Sequence, residues 1–145
     1  MELVAPQGPV YQAGTLSGNP VVMSAGAAAL RALKEEGAYE RLEGNARKLC
    51  EGIKEIASRR STPVRVNRMG SMFTIFFTDS EPHDWSTAQR ADVQMYARFF
   101  QSMLRRGLYF PPSQFECAFL SLAHTPEVIE ESLEIIDEGW RDIGG

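Results

Sequence analysis

The chain has 145 residues, of which 43% are apolar and 23% charged, and a formal net charge of −4. That content supports one packed core and excludes a disordered chain. The acidic balance argues against nucleic acid or an anionic membrane as partner, and no window reaches the apolar length of a membrane span. The N-terminus, MELVAPQGPVY, has neither a basic nor an apolar leader region, so no secretory signal is read there. Cys50 and Cys117 make no metal-like spacing, and free thiols in a reducing cytoplasm are the simplest reading.

Residues 1–18 lack periodicity and carry Pro6, Pro9 and three glycines, so they read as an extended lead-in. The stretch Val10–Pro20, VYQAGTLSGNP, runs into a helix. Asn19 is a good N-cap, and Pro20 suits the first helical position, where no backbone N–H is needed. Gly14 and Gly18 permit close backbone approach to a ligand, and Thr15 and Ser17 offer hydroxyls. Such a loop suits a phosphate. Taken by themselves, however, the residues favour a polar linker with an ordinary cap.

The helix is predicted to run from Pro20 to about Glu36, with a small-sided middle and Gly37 as its stop. A second helix is predicted from Ala38 to Arg60. Leu42, Ala46, Leu49, Ile53 and Ile56 form its buried stripe, weakened by Gly44 and Gly52. Val64 and Val66 alternate with polar neighbours as in a half-buried strand. Met72–Thr78 is apolar on both faces and reads as a more central strand. A loop follows over Asp79–Trp85. Ser86 with Gln89 can form a capping box for a helix reaching Arg106, with Tyr96, Phe99, Phe100, Met103 and Leu104 inward. Residues 107–122 return to strand character around Pro111-Pro112. Thr125 caps, and Pro126 opens, a last helix with Ile129, Leu133, Ile136 and Trp140 inside. The order implies an α+β domain: a small, mostly antiparallel sheet with helices on one face.

Among residues that could carry chemistry, Glu116 is a carboxylate amid Phe115, Cys117 and Phe119. Its spacing alone reads as an outward-facing strand residue, with Ser113 and Gln114 as weaker neighbours on the same rim. His83 falls in a polar loop and His124 before a helix cap, both read as solvated or structural. Lys34, Lys48 and Lys54 lie on predicted amphipathic helices, where a solvated face is the default, and none has the setting of a nucleophilic lysine. The remaining aromatic residues are assigned to packing.

Three stretches, VYQAGTLSGNPVVMSAG (Val10–Gly26), MGSMFTIFFTDS (Met69–Ser80) and GLYFPPSQFECAFLSLAHT (Gly107–Thr125), resemble, in order, the C-terminal part of class III, fold-type I pyridoxal-phosphate (PLP) aminotransferases. The likeness is strongest to the aminomutase branch. It implies the small C-terminal domain over 19–145. Residues 1–18 would then be a lead-in from a preceding large domain, which would hold their functional shape.

The resemblance further implies a homodimer acting on a small molecule. Gly14 and Thr15 would bind the cofactor phosphate of the neighbouring subunit, and Glu116 would lie near the active site in a supporting role. There, desolvation would raise its pKa and a nearby cation would lower it. The cofactor would alternate between PLP and pyridoxamine phosphate. The lysine that carries it falls before the GTLSGNP loop in this family. The chain alone is therefore expected to be inactive and not to bind the cofactor. The implied reaction converts glutamate-1-semialdehyde to 5-aminolevulinate in tetrapyrrole synthesis. Class III enzymes using an external amino acceptor often carry an arginine just before the Pro-Pro pair. Here the run is Leu108-Tyr109-Phe110-Pro111-Pro112, which favours the aminomutase branch. A stand-alone interaction domain that kept only the fold is a third reading.

Overall fold

The computed structural model describes residues 1–143; Gly144 and Gly145, at the end of the expected small domain, lie outside the described residues. The chain forms two compact units, Met1–Ala38 and Tyr39 to the C-terminus. The expected break between residues 18 and 19 falls inside the first unit.

In the first unit the lead-in folds back on itself. Val4 and Val10 form a bridge, with Val10 N–H donating to Leu3 C=O at 2.9 Å. Helix α1 spans Pro20–Ala32, and Asn19 caps it by accepting from the Val21 and Val22 N–H groups. No residue of α1 is buried. It ends four residues earlier than predicted. The Lys34 and Glu35 N–H groups reach back only three residues, to Arg31 and Ala32, so the last turn tightens instead of continuing. Gly37, expected as the stop, takes φ +78° in the connection beyond.

The second unit is built on helix α2 (Ala38–Arg59), the β1–β2 hairpin (Arg65–Met69 and Met72–Phe76), and the short helix α3 (Trp85–Ala88). It continues through helix α4 (Val93–Arg105), strand β3 (Ala118–Phe119) and helix α5 (Pro126–Gly139), and a 3₁₀ turn follows at Trp140–Asp142. The sheet is antiparallel in the order β1-β2-β3, so the apolar Met72 run is the central strand, as its two-sided hydrophobicity implied. Val66 lies opposite Ile75, and with Phe73 these side chains enter the core. They meet Leu49, Ile53 and Ile56 of α2, Phe99 and Met103 of α4, and Ile129 and Ile136 of α5. Helices α2, α4 and α5 thus pack on one face of the sheet, as an α+β domain requires, although Leu104, expected inward on α4, is exposed.

Phe99 is fully buried at the centre of an aromatic cluster. Its ring centroid lies 5.2 Å from Phe110, 5.6 Å from Trp140, 5.7 Å from Phe77 and 6.0 Å from Tyr96. Gly52 has a packing role that helix propensity alone does not reveal. A Cβ there would sit 2.5 Å from Leu133 Cδ2, so its absence lets α5 nest on α2. The end of α5 is tied to α4 by Asp142, which accepts from Arg106 at 2.7 Å and from the Ser102 hydroxyl at 2.9 Å. Those bonds, Arg106 first, hold the Asp142 carboxyl below the usual carboxylate range.

Two further predicted elements differ. The helix expected from Ser86 to Arg106 is broken. Asp84 with Thr87, not Ser86 with Gln89, forms the capping box of α3. Asp92 then caps α4, accepting from the Gln94 and Met95 N–H groups at 2.9 Å each, while its own N–H donates to Phe77 C=O. An aspartate that caps a new helix cannot remain inside the old one. The strand character of 107–122 contracts to Ala118–Phe119. Pro111 and Pro112 have no N–H to give a ladder, and the chain between them and β3 is a turn.

Candidate functional site

Two loci carry the candidate residues, one in each unit. In the first, Gly14 and Thr15 open a tight turn. Ser17 N–H donates to Gly14 C=O at 3.0 Å, and Asn19 N–H to Leu16 C=O at 3.1 Å. The turn is exposed. Among the described residues, the Gly14 N–H, the Thr15 N–H and the Thr15 hydroxyl have no partner, whereas Asn19 is committed to capping α1. The turn therefore presents uncommitted donors, the chemistry an anionic oxygen requires.

The second locus is the turn from Pro111 to Cys117. Glu116 lies in this turn, ahead of β3 rather than within a strand, and its side chain is exposed. The desolvation implied by the resemblance is thus not supplied by this chain. Glu116 N–H donates to Ser113 C=O at 3.1 Å, which closes the turn. Glu116 C=O accepts from the Thr74 hydroxyl at 3.3 Å, and Pro111 C=O from the Tyr96 hydroxyl at 2.7 Å. Gln114 is buried, not on the rim. Its Nε2 reaches Ala91 C=O at 3.4 Å, and its Oε1 has no partner among the described residues. Phe115 packs edge-on against Trp85, centroids 5.1 Å apart, with both rings largely exposed.

The other candidates have structural or surface settings. His124 ties the turn before α5 to α2, since its C=O accepts from Asn45 Nδ2 at 2.7 Å. His83 lies in an exposed loop. Lys48 pairs with Glu130, and Lys34 and Lys54 are exposed, Lys34 in the turn after α1 rather than in a helix. The residue that sequence reasoning under-read is Tyr96. Its spacing assigns it to packing, yet a tyrosine in a phenylalanine-rich stripe carries a hydroxyl that must find an acceptor when buried.

The model of the aminotransferase class-III family matches residues 1–138. The chain belongs to that family. It is 48% identical over 143 residues to glutamate-1-semialdehyde 2,1-aminomutase of Roseiflexus castenholzii, covering 99% of this chain and 33% of that protein. It is 53% identical over 141 residues to the aminomutase of Sulfurihydrogenibium azorense, covering 97% of this chain and 33% of that one. The chain thus spans about a third of the length of the curated relatives it matches. Its fold superposes, at a TM-score of 0.76 and 21% identity, on a glutamate-1-semialdehyde-aminomutase variant from Pseudomonas aeruginosa in complex with PMP. That match covers 95% of this chain and 31% of the other. The α+β arrangement is therefore that of the C-terminal part of class III aminotransferases, which are PLP-dependent enzymes. No described helix is long and apolar enough to cross a membrane.

Proposed function

We propose that this class III chain is the C-terminal third of a glutamate-1-semialdehyde 2,1-aminomutase. The full enzyme would convert glutamate-1-semialdehyde to 5-aminolevulinate as a cytoplasmic homodimer. The observation that carries the reading is that nearly all of this chain matches about a third of each aminomutase, at about half identity. The absence of an arginine before Pro111-Pro112, where external-acceptor enzymes often hold a substrate carboxylate, supports it. Residues 1–18 would arrive from the large domain, and residues from Asn19 onward would form the small one.

The donor set fits the cofactor. The free Gly14 and Thr15 amides and the Thr15 hydroxyl would hold the PLP phosphate of the neighbouring subunit. Backbone donors do this without ordering long side chains. When bound, PLP supplies the electron sink for moving an amino group between adjacent carbons. This chain's part is to bind and orient. The Thr15 turn fixes the phosphate end, and the Glu116 carboxylate offers an acceptor for a cationic amino group or a transferring proton. The three lysines are exposed or surface-paired, so the lysine that carries the cofactor would come from the preceding part of the enzyme.

Glu116→Gln in a complete enzyme carrying this segment tests the reading. A lost charge-assisted hydrogen bond costs about 1.5–3 kcal/mol, or roughly ten- to hundredfold in turnover. Because Glu116 is exposed, the melting temperature should hold. Turnover and melting temperature both equal to those of the parent would return Glu116 to the ordinary surface.

A further inference from the structure

The turn that carries Glu116 is held by side chains from elsewhere. Pro111 and Pro112 cannot donate, and among the described residues no strand pairs with residues 111–117. A surface turn of this kind normally leaves its carbonyls to water. Here two of them are taken by hydroxyls from separate elements, Tyr96 on α4 and Thr74 on β2, one at each end of the segment.

The two donors differ in surroundings. Tyr96 is buried, its ring among Phe77 and Phe99, yet its phenol is aimed out of the core at Pro111 C=O. Burial first, and then the nearby Glu116 charge, push the Tyr96 phenol well above its ordinary range, so it stays protonated as a donor. Thr74 lies opposite Asn67 and alternates with the core residues Phe73 and Ile75. It therefore stands on the sheet face away from the helices, where its hydroxyl reaches the backbone of Glu116 itself.

We infer that Tyr96 and Thr74 form a two-hydroxyl clamp on the Pro111–Cys117 turn, and that both are positioning residues for Glu116. The clamp fixes the backbone at both ends of the turn from which the exposed Glu116 side chain projects. Its bearing on turnover rests on the role proposed above for Glu116.

Two measurements on the complete enzyme separate the clamp from that role. The first is amide hydrogen exchange. Tyr96→Phe keeps the ring and removes only the hydroxyl. Exchange at residues 113–117 should rise about two- to tenfold, the worth of one neutral hydrogen bond, while Phe99–Met103 on the same helix stays protected. Unchanged exchange at 113–117 would overturn the clamp whatever Glu116 does.

The second is a kinetic cycle. Tyr96→Phe and Thr74→Val should each lower kcat about two- to tenfold, and Thr74→Ser, which restores the hydroxyl, should recover it. In the Glu116→Gln background neither should lower kcat further, because both act through Glu116. Losses that multiply in that background, or no loss in either single variant, would overturn the positioning role. Raised exchange with a silent Glu116→Gln would remove the role of Glu116 and leave the clamp standing only as a loop anchor.

Discussion

Phe99→Ala is expected to destabilise the domain by about 3–5 kcal/mol, the cost of a large aromatic removed from a site that cannot collapse. Phe99 is fully buried, and four aromatic rings lie within 6.0 Å of its centroid. Those rings come from the residue just after β2, from α4, from the chain before the Pro-Pro pair and from the 3₁₀ turn, so no single neighbour can move into the cavity. Phe100, the next residue, is only partly buried and packs edge-on to exposed Tyr109. Its alanine variant should lose clearly less. Urea unfolding of both variants reads the difference. A Phe99 variant no worse than the Phe100 one would mean that the core is not centred where the structure has it.

Thr15→Val in a complete enzyme should weaken PLP retention more than it slows chemistry at saturating cofactor. The substitution keeps the shape and removes one hydroxyl that has no partner among the described residues. A hydrogen bond to a charged group is worth about 1.5–3 kcal/mol, which is roughly ten- to hundredfold in Kd. Equilibrium dialysis of PLP against the variant measures it. Parent-like affinity would sink the phosphate assignment. Because the turn is exposed and α1 is capped independently by Asn19, the variant should fold as the parent does.

The long helices were legible because their apolar stripes repeat every three or four residues. Leu42, Leu49, Ile53 and Ile56 on α2, and Ile129 and Ile136 on α5, are all buried. The break between α3 and α4 was not. Ala91 and Val93 continue an apolar pattern, and nothing local announces that Asp92 will bond to its own following amides. The short β3 was over-read for the opposite reason. Phe110, Phe115 and Phe119 look like strand residues, but two prolines deny the stretch a ladder, and its carbonyls go to the hydroxyls of Tyr96 and Thr74.

The candidate residues owe their selection to wording, not to periodicity. Spacing alone leaves Thr15 in a polar linker and Glu116 on a surface. Only the match of GTLSGNP and PSQFE to a family gives them chemistry. Tyr96 could have been found from physics, since one phenol among phenylalanines has to be hydrogen-bonded somewhere.

Joined to the rest of an aminomutase, this chain should complete a working enzyme. The direct test joins it to the preceding two thirds of the Sulfurihydrogenibium azorense enzyme, to which it is 53% identical. Purified with PLP, the chimaera is given glutamate-1-semialdehyde with no external amino donor or acceptor, and 5-aminolevulinate is followed. 5-Aminolevulinate should form at a rate of the same order as the parent enzyme's. A folded, cofactor-loaded chimaera that makes none, or makes it only when an external amino partner is added, would contradict it.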